Sequence, residues 1–323
     1  MQALHLPWQI AIPASILGVR WTRRAESRLR PSRCELHLNG WDWPKPATES
    51  GRQRFTLDSA ARCVSKSAPR ELQPPVRHDC GDDAFFLAKG KQMLTVGVAD
   101  GVSSWARYGI NPALFAWELM VRCEGAAQHG SDAVEILTEG FETTLRENSK
   151  GLAGSSTACL ASLDCNTGEL EVANLGDSGA LLIRSTGHVC LETKEQQHYF
   201  NCPYQLVCVP QSRTGASNLT GGDLPSSSDQ YQAQVKEGDM LILATDGFFD
   251  NVWKQEAINV ILSMSAFSPA EIADRLVRVA HAASQSMNES PFCRSAAQHG
   301  IRHRGGKPDD ITVLVARVTH LHK

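Results

Sequence analysis

TACLASLDCNTGELEVANLGDSGALLIR occupies residues 157–184. It contains three short apolar runs, Thr157–Leu163, Leu170–Leu175 and Ala180–Arg184, separated by Asp, Asn and Gly positions. Each run is of strand length and bounded by turn residues, so the stretch predicts consecutive strands with no helix between them. Runs of the same kind recur at Met93–Ala99, Leu206–Val209, Met240–Ala244 and Ile311–Val318. Segments with a period near 3.6 fall at 112–127, 132–146, 254–265 and 269–287, and in the second of these Val134, Leu137, Phe141 and Leu145 share a face. Asn111 before Pro112, and Ser268 before Pro269 with Glu271 behind it, predict helix starts. The order is strands, a helical pair, a strand-rich middle, a second helical block and a last strand. Strands grouped this way argue against a doubly wound parallel sheet and for an α+β fold of two mainly antiparallel sheets covered by helices.

The regular pattern spans residues 78–320, a domain of roughly 240 residues. Residues 34–77 carry Trp41, Trp43 and Pro74-Pro75 without a sustained period and read as a linker or embellishment. The Ser-, Gly- and Thr-rich stretch 211–230 reads as a long mobile surface loop. With 32 basic against 35 acidic side chains the chain has no basic excess to favour a nucleic-acid partner, and no apolar run is long enough to span a membrane. Its 10 Cys never form a C-x-x-C pair, and His188, Cys190, His198 and Cys202 lack paired-thiol zinc spacing, so reduced and mostly buried thiols are expected. The first 33 residues hold Arg20, Arg23, Arg24, Arg28, Arg30 and Arg33, no Lys, and Glu26 as the only acid. That is the profile of a mitochondrial transit peptide, with a disordered basic tail on a cytoplasmic protein as the alternative.

Acids recur where strands begin or end. Val98-Ala99-Asp100-Gly101 and Ala244-Thr245-Asp246-Gly247 each close an apolar run, Gly176-Asp177-Ser178 follows one, and Gly81-Asp82-Asp83 and Pro308-Asp309-Asp310 precede one. Taken singly, an Asp-Gly pair reads better as a turn than as a metal ligand. If the acids converge, mutual repulsion raises their pKa values unless hard divalent cations sit among them. Magnesium or manganese would suit carboxylates, a backbone carbonyl and waters, and a pair of such ions could aim a water at phosphorus.

At these residues the sequence resembles the type 2C metal-dependent protein phosphatases. The blocks that carry the likeness are 81–84, 98–102, 154–158, 174–178, 244–251 and 307–313. Within that family it is similar to the T-cell-activation phosphatase homologs, a branch with mitochondrial and fly members, through Glu195-Gln196-Gln197-His198-Tyr199-Phe200-Asn201, Trp105 with Tyr108-Gly109, Ser290-Pro291-Phe292, and 304–310. The resemblance implies a four-layer α/β/β/α sandwich with helix pairs on the outside. It also implies that a monomer hydrolyses phosphoserine and phosphothreonine in phosphoprotein substrates through a metal-bridging hydroxide.

By the same resemblance, Asp100 would bridge two Mg2+ or Mn2+ ions, Gly101 would offer its carbonyl, and Asp246 and Asp309 would complete one shell. Asp83 would bind a metal or hold its waters, Asp82 would contact metal-bound water, and Asp177 would meet a third ion. Three positions depart from the family pattern. Val102 stands where many members have a His thought to protonate the leaving group, which leaves the acid unassigned, with a metal-bound water favoured over His198. His78, with Arg77 beside it, stands where a phosphate-binding Arg is common. Ser103-Ser104 replaces Gly-Gly. These departures keep open a second reading, a catalytically weak phosphoprotein-binding module on the same fold. Arg302, Arg304 and Lys307 flank Asp309 and could steer an anionic substrate.

Overall fold

In the computed structural model the strand-forming runs pair into two five-stranded sheets, every pairing antiparallel. Residues 54–67, 72–130, 132–148, 151–209 and 222–321 are described. One sheet contains β1 (Phe55–Val64), β7 (Gly179–Ile183), β8 (Val189–Glu192), β13 (Met240–Ala244) and β14 (Ile311–His320), in the order β1-β14-β13-β7-β8. The other contains β2 (Asp83–Lys89), β3 (Met93–Asp100), β5 (Ala158–Asp164), β6 (Glu169–Leu175) and β12 (Asp229–Gln234), in the order β12-β6-β5-β3-β2. Two short pairs, β4 (Gly154–Ser156) with β11 (Leu206–Cys208) and β9 (Gln197–Tyr199) with β10 (Cys202–Pro203), decorate one end.

Alternation along β13 and β14 shows why these runs are apolar without a break. Leu241, Leu243, Leu314 and Ala316 join the core between the sheets, with Val96 and Val172 opposite. Their neighbours Ile242, Ala244, Val313 and Val315 point the other way, against Ile272, Leu276 and Ala280 of α5 (Pro269–Ser284). A strand buried on both faces needs apolar residues at every position. The outer helix layer on this side is completed by α4 (Lys254–Ser263). On the far side α1 (Pro112–Ala126) packs on β2 and β3, and α2 (Ala133–Arg146) packs on α1 and β5. The four-layer α+β sandwich expected from the sequence is the fold observed.

The helix starts form as their residues dictate. Asn111 Oδ1 accepts from the Ala113 amide at 3.1 Å and Asp132 Oδ1 from the Glu135 amide at 2.7 Å. Ser268 and Glu271 form a reciprocal capping box.

Three readings are corrected. Residues 55–64, placed by sequence in a linker, form β1, paired with β14 from Phe55↔His320 to Val64↔Ile311. Phe55, Leu57, Ala61 and Cys63 alternate with Thr56, Asp58 and Arg62, but Ser59 breaks the apolar face and Ala60 and Ala61 add little hydrophobicity, so its order comes from a partner at the other end of the chain. Cys63 and Cys80 are joined in a disulfide, so not all thiols are reduced; a pairing across two sequence-distant elements is invisible in cysteine spacing. Within 211–230 the last residues are regular, Pro225–Ser227 forming a 3-10 turn and Asp229 opening β12. The Arg-rich segment 1–33 and residues 211–221 lie outside the described residues, among which no helix is long and apolar enough to cross a membrane.

Candidate active site

The acids at strand ends are brought to one end of the sandwich by register. Asp83, first in β2, lies directly across from Asp100, last in β3. Asp246 follows β13 and opens the one-turn helix α3 (Asp246–Phe249), while Asp309 and Asp310 precede β14, the neighbour of β13. Asp177 sits between β6 and β7, and β7 pairs with β13 on its other side.

Close backbone approach fixes two glycines here. Gly81 has φ +70°, and a Cβ on it would lie 2.0 Å from Asp310 Oδ1. A Cβ on Gly101 would lie 2.6 Å from the Pro112 carbonyl and 2.7 Å from that of Asp82. Both crowd the chain around the carboxylates, which a side chain would push apart.

Asp310, fully buried, acts as a brace: its Oδ2 accepts from the Asp82 amide at 2.9 Å and its Oδ1 from the Lys66 amide at 2.7 Å. Asp83 Oδ2 accepts from the Thr245 hydroxyl at 2.9 Å, and Asp82 Oδ2 from the Ser103 hydroxyl at 2.7 Å. Asn251, also buried, ties the segment before Asp309 to α3. Its Nδ2 donates to the carbonyls of Gly247 and Lys307, both at 2.9 Å, and its Oδ1 accepts from the Lys307 amide at 2.8 Å.

The electrostatics are those of crowded like charges. Burial, then repulsion from Asp246, Asp83, Asp309 and Asp177, pushes Asp100 well above the usual carboxylate range. Burial and neighbouring acids also push up Asp83, Asp177 and Asp309. Burial carries Asp250 up to about 7 against the opposing pull of Lys307. Asp246 goes the other way: burial alone would raise it, but the Lys307 ammonium and a hydrogen bond shared with Asp100 bring it below its ordinary value.

Two ammonium groups enter this cluster. Lys307 Nζ lies 2.6 Å from Asp246 Oδ2, 2.7 Å from Asp250 Oδ2 and 3.3 Å from Asp309 Oδ2. Lys66 Nζ lies 2.8 Å from Asp309 Oδ1, 3.4 Å from Asp310 Oδ2 and 3.0 Å from Ser103 Oγ. No three His, Cys, Asp or Glu side chains among the described residues enclose a metal position as they stand. Even so, the donor set suits hard divalent cations. Asp83 Oδ1, Asp177 Oδ1 and Asp246 Oδ1 are buried without a hydrogen-bond partner, and the lysines hold places where positive charge is required.

The departures from the family pattern resolve individually. His198 Nε2 lies 3.0 Å from Asp223 Oδ2 and its ring stacks on Tyr204, so its partners lie outside the carboxylate cluster. His78 stacks on Phe85 and meets Trp117, and Arg77 pairs with Glu124 at 2.6 Å. Ser103, in the glycine-depleted loop, bonds Asp82 directly. Sequence reasoning missed Lys66 and Asp250 and gave Asn251 no role. Asp250-Asn251 lie inside a quoted block, whereas nothing local marked Lys66.

Comparison with known proteins accounts for the arrangement. A protein phosphatase PTC7 homolog of Danio rerio is 39% identical over 246 residues, covering 74% of this chain and 81% of its own length. The chain belongs to the PP2C-type serine/threonine protein phosphatases. The human PTC7 homolog is 39% identical over 74% of this chain and 79% of its own length. In Drosophila willistoni, the PTC7 homolog fig is 38% identical over 75% of this chain and 78% of its own. The family model described as stage II sporulation protein E matches residues 108–319. Among solved structures, the photosystem II phosphatase PBCP superposes with a TM-score of 0.68 at 31% identity, covering 82% of this chain and all of that one. The catalytic domain of the mycobacterial phosphatase PstP, solved with two manganese ions, shares the PP2C fold at a TM-score of 0.50 and 18% identity, over 82% of this chain and 99% of its own.

Proposed function

We propose that this PP2C-family chain hydrolyses phosphoserine and phosphothreonine in protein substrates with the help of Mg2+ or Mn2+ held by the acidic cluster. The observation that carries the reading is the convergence of Asp83, Asp100, Asp177, Asp246 and Asp309 with buried, unpartnered carboxylate oxygens among them. Asp100, the Gly101 carbonyl, Asp246 and Asp309 would hold two ions, with Asp83 and Asp82 ordering their waters and Asp177 available to a third. Bound there, the ions would supply an activated water and neutralise charge on the phosphoryl oxygens.

The chain's own contribution is preorganisation. Thr245 and Ser103 fix one oxygen each of Asp83 and Asp82, Asp310 clamps the loop at Gly81, and Asn251 fixes the approach to Asp309. His198 is engaged with Asp223 and Tyr204, and we assign it no proton transfer.

The test is phosphate release from a phosphothreonine peptide with added Mn2+. Turnover is expected, abolished by chelator and reduced about 100-fold or more in Asp246→Asn. Full activity in that variant, or activity indifferent to metal, would refute the assignment; metal binding without turnover would support the binding-module reading. We also propose a mitochondrial location, supported by the Arg-rich, Lys-free first 33 residues. Deleting them should move a tagged protein to the cytosol, and an unchanged distribution would contradict the proposal.

A further inference from the structure

We propose that a cleft beside the acidic cluster receives an arginine or lysine side chain of the substrate polypeptide, close in sequence to its phosphorylated residue, an inference that rests on the phosphatase reading above. The cleft lies between β7, β8 and the segment that runs from α3 into α4. It holds about 270 Å³, less than the roughly 300–1,000 Å³ of pockets that take a small molecule whole, and so suits one long side chain. Asp177, a member of the cluster, lines it, so a chain whose phosphoryl group sits among the acids passes the cleft within a few residues.

Leu181, Phe249, Val252, Trp253 and Ala257 give the cleft an apolar lining, and Asp177, Glu192 and Glu195 add carboxylates. A long basic side chain matches both features. Its methylenes lie against the apolar surface while its charged head donates to an acid. A neutral side chain of the same length would shield the acids from water without pairing them, and an acidic one would be repelled.

The nearby cations of the chain are committed elsewhere. Lys254 Nζ, in the lining, lies 2.8 Å from Glu192 Oε2. The Arg294 guanidinium lies 4.2 Å over the Trp253 ring and pairs with Glu289 at 3.0 Å. Lys307 is held by Asp246, Asp250 and Asp309. Glu195 accepts from the neutral side-chain amide of Gln197 at 3.1 Å, and among the described residues no Lys or Arg nitrogen is ion-paired with it. Asp177 is buried, and its Oδ1 has no hydrogen-bond partner. Glu195 is open to solvent; desolvation within the cleft and then the Asp246 charge raise its pKa, and the Lys307 charge lowers it, so the carboxylate stands within electrostatic reach of the cluster. Two acids beside the reacting position are therefore left for a cation that the substrate brings.

The test uses the full chain with Mn2+, as wild type, Glu195→Gln and Lys254→Met, with circular dichroism confirming the fold. Phosphothreonine peptides that carry arginine, norleucine or glutamate at one position, scanned across the three residues on either side of the phosphothreonine, are compared by kcat/KM, or by calorimetric Kd where none is turned over. Arginine should be favoured over norleucine about 10-fold at one or more positions, the lower end for a hydrogen bond between charged groups, and glutamate disfavoured. Glu195→Gln should collapse that preference, and Lys254→Met, which frees Glu192, should raise it. Titration of Mn2+ should give the same number of ions and the same affinity in Glu195→Gln as in the wild type. No arginine preference at any position, or one that survives Glu195→Gln, would overturn the proposal. So would weaker Mn2+ binding in that variant, which would make the carboxylate a metal ligand. If no peptide is turned over but Kd values show the arginine preference and its loss in Glu195→Gln, the phosphatase reading fails while the cleft stands. If peptides are turned over without regard to the neighbouring residue, the cleft fails alone.

Discussion

Asn251→Ala removes three hydrogen bonds from a side chain only 2% exposed. Two join Asn251 to the Lys307 amide and carbonyl and one to the Gly247 carbonyl, so the substitution unties the 307–310 segment from α3. Each lost bond is worth about 1 kcal/mol net, and a buried group left unpaired costs about 1–3 kcal/mol. Allowing water to reach part of the gap, the total is about 3–5 kcal/mol, or roughly 10 °C in Tm for a domain of this size. Metal-free protein unfolded in urea and followed by circular dichroism measures it. The exposed Asn259→Ala serves as a control expected to change stability by less than about 0.5 kcal/mol. Because Asp309 follows Lys307 closely, Mn2+ affinity should also fall about 10- to 100-fold, as when a residue supporting a ligand is lost. Stability within 1 kcal/mol of wild type, together with unchanged Mn2+ affinity, would refute the idea that Asn251 holds the site together.

The pH dependence has a definite sign. Asp250 is carried from its ordinary 3.8 to about 7 in the fold, so the folded state binds its proton more tightly. Its contribution is full below about 4 and is lost as pH rises through about 7; urea titrations of metal-free protein should show this decline, and Asp250→Asn should make it less steep, the raised Asp83, Asp100, Asp177 and Asp309 contributing the rest. Adding Mn2+ should oppose the decline, since metal binding needs ionised carboxylates; an equal slope with and without Mn2+ would contradict this. Gly81→Ala should destabilise the protein by more than about 1 kcal/mol through its positive φ and its collision with Asp310, a loss that equilibrium unfolding would detect.

The sandwich was legible wherever local pattern and final environment agree. Met240–Ala244 is apolar at every position because both its faces are covered, and Ser268-Pro269 with Glu271 carries its capping chemistry in four residues. β1 was not legible, because Ser59 and the small Ala60 and Ala61 weaken its apolar face and its stability comes from β14. At the site, an acid at the end of an apolar run was a local signal that located Asp100, Asp246 and Asp309. Lys66 had no such signal, being drawn to Asp309 and Asp310 only after β1 has paired and Cys63 has met Cys80. Nor could spacing reveal that Lys307, read as a steering charge, lies within the cluster between Asp246 and Asp250.

Converged carboxylates of this kind should hold divalent cations. The most direct test is calorimetric titration of Mn2+ into the metal-free wild type and Asp100→Asn, each verified as folded. Binding of two ions by the wild type is expected, with a loss of about 100-fold or more in affinity in the variant. Equal binding by two equally folded proteins would contradict it.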